Sequence, residues 1–139
     1  MRVLFDTNVV LDVLLDREPH AEIAAQLLSL VDSGRLDGVL CATTVTTIHY
    51  LASKATTPGE AARQVRELLA MFAVAPVDEG VLASALDLGL ADYEDAVLHE
   101  AAAADGASAI VTRNGRDFMK ATLPVFDPGE LLAAVAASE

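Results

Sequence analysis

Met1-Arg-Val-Leu-Phe-Asp6-Thr7-Asn8 is a short apolar run that ends in an acid. It reads as a buried β-strand that delivers Asp6 at its C-terminal edge, where open α/β sheets build their sites. Far along the chain Ala109-Ile-Val-Thr112 repeats the arrangement and runs into Arg113-Asn114-Gly115-Arg116-Asp117-Phe118. A third acidic group, Asp92-Tyr93-Glu94-Asp95, opens the helix that precedes this second strand. Acids gathered at the mouths of buried elements predict a pocket for a divalent cation.

Between these stretches the pattern alternates. Strands are expected at residues 2–6, 38–42, 73–77, 108–112 and 123–126. A short helix is expected over 9–15, followed by a longer one over 19–33, where Ile23, Leu27, Leu30 and Val31 share one face and Gly34 ends the run. Further helices are expected over 44–54, from 58 to about 72 (with Val65, Leu68, Leu69 and Phe72 on one face), over 79–89, over 92–105 and from 128 onward. Thr57-Pro58-Gly59-Glu60 and Asp127-Pro128-Gly129-Glu130 each supply an N-cap oxygen, a proline at the first helical position and a glutamate three residues after the cap. Five short apolar strands separated by helices call for an α/β fold, a parallel sheet covered on both faces, in one domain over 1–139.

The chain has 139 residues, 53% of them hydrophobic, enough for a real core. No apolar run approaches the roughly 18 residues that span a bilayer. The N-terminal run is too short for a signal peptide, so a cytoplasmic protein is expected. Cys41 is the only cysteine and lies in an apolar run, which excludes an intrachain disulfide and predicts a buried thiol. The net charge of −12 argues against a basic nucleic-acid-binding surface. With four Phe, two Tyr and no Trp, the composition argues against a base-stacking platform too. A nucleic-acid substrate would have to be held locally, through metal and a few arginines.

Taken singly, the polar residues divide. Asp6 reads as a cation ligand, and Asn8 either as the N-cap of the following helix or as a polar contact to the substrate or to the groups that hold the cation. Asp92 and Asp95 stand at capping spacing; capping accounts for Asp92 but not for Glu94 or for so dense a charge. Asp95 leads into a buried helical face and reads as a ligand, with Glu94 beside it. At least one acid of the cluster should have a raised pKa. Asp117 and Asn114 reach the same sheet edge if the first and fourth strands are neighbours. His20 reads as solvated, and His99, on the same helix face as Asp95, as an ion-pair partner of that acidic turn. His49 points either to the core or to the site. Oxygen donors without a His/Cys cluster suit Mg²⁺ or Mn²⁺.

The ordered set Phe5-Asp6-Thr7-Asn8-Val9, Thr46-Thr-Ile-His49, Tyr93-Glu94-Asp95-Ala96 and Val111-Thr112-Arg113-Asn114-Gly-Arg116-Asp117-Phe118 resembles the PIN-domain family, in particular the small toxins of bacterial VapBC toxin–antitoxin pairs. The resemblance covers nearly the whole chain. It implies a three-layer α/β sandwich whose five-stranded parallel sheet has the order 3-2-1-4-5. It further implies metal-dependent ribonuclease activity, a homodimer and a small antitoxin partner. Asp6, Asp95 and Asp117 match the family's acidic positions. A glutamate common on the helix after the second strand is replaced here by His49, and Glu94 is expected to supply that carboxylate, leaving His49 to contact a carboxylate or the phosphate.

From these residues an RNA phosphodiester hydrolase is expected, with Arg113 and Arg116 on the phosphate and Thr112 orienting a carboxylate. A phosphatase-like fold would need Asp-x-Asp after the first strand or a lysine after a later one, and has neither. A binding module with a decayed metal site is the alternative reading. Dimer contacts are expected from Ile48, Leu51 and Ala52 and from the helix over 58–72.

Overall fold

The computed structural model describes residues 1–139. Its strands are β1 (Arg2–Phe5), β2 (Asp37–Cys41), β3 (Ala73–Ala75), β4 (Ala109–Val111) and β5 (Val125–Phe126). Its helices are α1 (Thr7–Leu14), α2 (Ala21–Asp32), α3 (Ala42–Ala55), α4 (Pro58–Met71), α5 (Glu79–Asp87), α6 (Tyr93–Asp105) and α7 (Pro128–Ala137). The strands form one parallel sheet in the order β3-β2-β1-β4-β5. β1 is central: Leu4 stands opposite Val39 of β2 and Ile110 of β4. The expected fold and strand order are both present.

The two-residue period of the strands builds two cores, one on each face of the sheet. Val3, Phe5, Leu40 and Val111 face a layer from α1, α2, α3, α4 and α7. Leu4, Val39, Ile110 and Ala75 face α5 and α6. Each fully buried aliphatic or aromatic side chain contributes about 1.5–3 kcal/mol relative to its exposed state. Phe5 meets Phe72 edge to face at a centroid distance of 5.1 Å. Beside them a Cβ on Gly38 would come within 2.7 Å of the Phe72 ring, so β2 needs glycine at this crossing.

Several expectations shift. α1 starts at Thr7, with Asp6 rather than Asn8 as its N-cap. In α2 the buried face is carried by Ala24, Leu27, Leu28 and Val31, and Ile23 is 38% exposed. The face of α4 is likewise narrower, with Leu68 buried and Leu69 exposed. Ile48 and Ala52 lie wholly inside the chain's own core, so they cannot serve as dimer contacts. Tyr50 and Leu51 are the exposed apolar residues of α3. Cys41 is buried as expected. No helix is long and apolar enough to cross a membrane.

His99 is a correction as well. It is fully buried, and its Nε2 accepts from the amides of Thr122 and Leu123 at 3.1 and 3.2 Å. A ring nitrogen that accepts two N–H bonds carries no proton. His99 therefore orders the segment leading into β5 and makes no ion pair with Asp95.

Candidate active site at the carboxyl edge of the sheet

Because β1 and β4 are neighbours and parallel, the chain leaves both at the same edge. The Asp6 amide donates to the Val111 carbonyl at 3.0 Å, carrying the pairing one residue past β1. Asp6 Oδ1 accepts from the Thr7 amide and Oδ2 from the Thr112 hydroxyl, each at 2.7 Å. The Thr112 oxygen in turn accepts from the Asn114 amide at 3.0 Å. One buried hydroxyl thus fixes the Asp6 carboxylate and the start of the following loop. An ionised carboxylate has about four acceptor sites, so these two bonds leave capacity on both oxygens. Burial is the main reason the Asp6 pKa is raised; the Thr112 and Thr7 hydrogen bonds work against it, and Asp117 adds to it.

Asp95 lies in the first turn of α6, where its amide donates to Oδ1 of the capping Asp92 at 3.0 Å. Its pKa is pushed up to about 7, first by burial and then by the negative charges of Asp92, Asp6, Asp117 and Glu94. Asp6 and Asp117 act on it although one follows β1 and the other sits beyond β4. Asp117 is carried by a 3₁₀ turn, Gly115–Phe118, with Phe118 buried beneath it. The sequence-derived acids Asp6, Asp95 and Asp117 therefore share one electrostatic field. Glu94 is the weakest of the neighbours that raise Asp95 and is itself exposed.

The acids remain open: no three His, Cys, Asp or Glu side chains converge closely enough to enclose an ion. Mg²⁺ retains several waters and is commonly held by one or two carboxylates plus substrate phosphate. A set of oxygen donors whose mutual repulsion drives one of them towards protonation has the chemistry such a cation would satisfy, and the residues fit it on that ground.

The sequence profile of the PIN domain matches residues 2–116. The chain belongs to the PIN-domain family. No curated protein matches its sequence. Among solved structures it is similar to FitAcB from Neisseria gonorrhoeae, at 25% identity and a TM-score of 0.67 over 91% of this chain and 98% of that one. VapBC2 from Rickettsia felis, bound to a DNA fragment from its promoter, gives 15% identity and a TM-score of 0.71 over 91% and 98%. A toxin–antitoxin complex from Klebsiella pneumoniae gives 21% and 0.68 over 91% and 97%. The profile takes in Asp6, Glu94 and Asp95 and ends one residue short of Asp117, whose placement rests on the geometry above.

Other residues of this PIN domain fall differently from expectation. Arg113, expected on the phosphate, forks onto buried Asp12, Nε to Oδ2 at 2.6 Å and Nη2 to Oδ1 at 3.1 Å. Arg17 Nε stands 3.0 Å from Asp12 Oδ1, without the alignment of a hydrogen bond. Arg116 is exposed and forms no ion pair, which leaves it free beside Asp117. Asn8 caps no helix; its carbonyl and side-chain oxygens lie 3.4 and 3.5 Å from Arg17 Nη2. His49 is exposed on α3 and stands outside the core. Asp12 and Thr44 are the polar residues that sequence reasoning missed. Thr44 is 1% exposed and meets the Thr7 hydroxyl at 3.1 Å. Their only signal was a polar residue interrupting an otherwise apolar helical face.

A pH dependence follows for the metal-free protein. The Asp95 pKa of about 7 lies above the ordinary 3.8, so the fold binds a proton that the unfolded chain has released. This group's contribution is present at low pH and is lost as pH rises through about 7. A divalent cation favours the ionised form and should raise the melting temperature at pH 8 far more than at pH 5. In Asp95→Asn both the pH slope from this group and most of the Mg²⁺ effect should disappear. Equal Mg²⁺ effects at the two pH values would rule out this account.

Proposed function

We propose that this PIN domain is a Mg²⁺- or Mn²⁺-dependent endoribonuclease, and that it is the toxin of a toxin–antitoxin pair. The supporting observation is that β1 and β4 are parallel neighbours, so that Asp6 after β1 and Asp117 in the turn beyond β4 follow the same sheet edge, with both charges acting on Asp95 at the start of α6. Likeness to the FitAcB, VapBC2 and Klebsiella complexes supports the pairing with a small antitoxin.

Asp6, Asp95 and Asp117 would hold the cation, with Glu94 as the further carboxylate. When bound, the ion would lower the pKa of water and offset the charge that grows on the phosphoryl oxygens. The chain's residues do the rest. Asp6, clamped by Thr112 and the Thr7 amide, keeps one orientation throughout the reaction. As the attacking water's oxygen joins phosphorus its proton passes to solvent, and as the bond to the 3′ oxygen breaks that oxygen takes a proton from solvent; Asp95 stays ionised and shares the site with Asp6. Arg116 contacts the phosphate, while Arg113 fixes the loop on which both Arg116 and Asp117 sit. Thr112 orients Asp6, and Asn114 holds the turn through its carbonyl, which accepts the Asp117 amide at 2.9 Å. Asn8 adds to the positioning of Arg17.

Cleavage of single-stranded RNA in Mg²⁺, lost in excess EDTA, is the direct test. Within it, Glu94→Gln should lower the rate far more than His49→Gln near pH 7, because Glu94 adjoins Asp95 and adds to the charge acting on it, whereas His49 does not. The opposite ranking would place the fourth ligand on α3. EDTA-insensitive cleavage would remove the metal from the proposal. A homodimer is part of the same reading, with exposed Tyr50, Leu51 and Leu69 of α3 and α4 as its contacts. A light-scattering mass of 14.5 kDa at micromolar protein would refute it.

A further inference from the structure

The acid cluster has an apolar neighbour. A cavity of about 210 Å³ is lined by Thr43 of α3, Leu82 of α5, and Tyr93, Glu94 and Val97 of α6. Tyr93 is 45% exposed, yet its ring is not free: its hydroxyl donates to the Leu82 carbonyl at 2.8 Å. A flat aromatic face is thereby held at the rim of a small apolar recess. Glu94 belongs both to this recess and to the carboxylates around Asp95. Drug-sized ligands need pockets of roughly 300 Å³ or more. This one suits a single planar ring system.

Charge narrows the occupant. Of the nine Lys and Arg side chains, Arg2, Arg17, Arg35, Arg63 and Arg113 are already committed to ion pairs within a chain of net charge −12. Phosphate contacts, which normally dominate affinity for nucleic acid, are therefore scarce. A strand held at these acids needs contacts that do not depend on its charge. Stacking on an aromatic ring and burial of a base face supply them.

We propose that this recess is a nucleobase subsite: it receives one unstacked base adjoining the scissile phosphate, stacked on Tyr93 and walled by Leu82 and Val97. The inference rests on the ribonuclease reading for its substrate, and it makes base contact rather than backbone charge the source of RNA affinity. The subsite also explains how so few aromatic residues suffice, since one pinned ring serves one base.

With only two tyrosines in the chain, the Tyr93 ring signals are assigned as those lost from the proton NMR spectrum of Tyr93→Phe, and the parent protein itself is titrated. The probes are the four nucleoside 5′-monophosphates, with ribose 5-phosphate as the base-free control, titrated in Mg²⁺. At least one nucleotide should shift the Tyr93 ring resonances, and ribose 5-phosphate should not. Tyr93→Ala should weaken binding of that nucleotide about tenfold, the loss expected of one base–aromatic stack. Tyr93→Phe keeps the ring but loses its bond to the Leu82 carbonyl, and its affinity should lie between those of the parent and Tyr93→Ala. No response to any nucleotide, an equal response to ribose 5-phosphate, or unchanged affinity in Tyr93→Ala would each overturn the subsite. RNA cleavage measured in parallel separates the two readings. Cleavage without a nucleotide response removes the subsite alone, and a nucleotide response without cleavage removes the nuclease reading alone.

Discussion

Asp6→Asn should lower RNA cleavage by on the order of 10³ or more while the protein stays folded, the scale of losing a charge that holds and orients a catalytic cation. The fold should survive for a local reason. Asparagine keeps the Oδ1 acceptor for the Thr7 amide, so α1 retains its cap. On the other side an amide NH₂ can face Thr112, whose hydroxyl rotates to accept instead of donate. Burial already raises the Asp6 pKa, so removing the charge relieves strain in the metal-free protein. Its melting temperature without Mg²⁺ should equal or exceed that of the parent, and its response to Mg²⁺ should shrink. Parent-like cleavage by the folded variant would exclude Asp6 from the reaction. A large loss of stability would instead mark it as a structural cap.

Asp12→Ala should be the most damaging single change to stability outside the apolar cores, costing about 3 kcal/mol, the lower end for breaking a buried ion pair because both arginines keep some exposure. Removing Asp12 strands Arg113 and Arg17 together, two like charges facing an apolar gap. Arg113→Ala should cost less, since Asp12 retains Arg17. Urea unfolding of the two variants checks the ranking. Equal losses would mean that Arg17, despite its short distance to Asp12, contributes nothing. Cleavage should fall in both variants even where folding is complete, because the Arg113 fork anchors the loop that leads to Asp117.

The legibility of this chain in its sequence follows from locality. Periodicity and caps are local, so the strands and the starts of α4 and α7 were readable, down to the Asp127–Glu130 capping box. That Asp6 and Asp117 would follow one sheet edge was readable from the parallel topology, although an acid that ends an apolar run can also be a helix cap, as Asp6 and Asp127 are. Pairings across the fold were not. Nothing in Val-Val-Leu-Asp12 announces that Arg113 would close on it, and an arginine beside site acids looks the same whether it waits for phosphate or is already taken. His99 failed as a reading for the same reason: its spacing from Asp95 is a helical-face argument, whereas its partners are amides from a distant segment. Ile48 and Ala52 were misplaced at the surface because one amphipathic stripe cannot say which neighbour covers it.

The central strand sets a further property of the site. Val3, Leu4 and Phe5 contact both cores, so the backbone that presents Asp6 cannot move without disrupting most of the buried interior. Asp117 has a different foundation: an exposed single turn secured by Phe118, by the Arg113 fork and, beyond it, by the amide bonds to His99. Burial therefore leads one to expect a higher opening free energy at Asp6 than at Asp117, which hydrogen exchange of the two segments would measure. On the proposed ribonuclease reading, the β1 side would then be the fixed reference of the centre and the β4 side the one that adjusts to substrate.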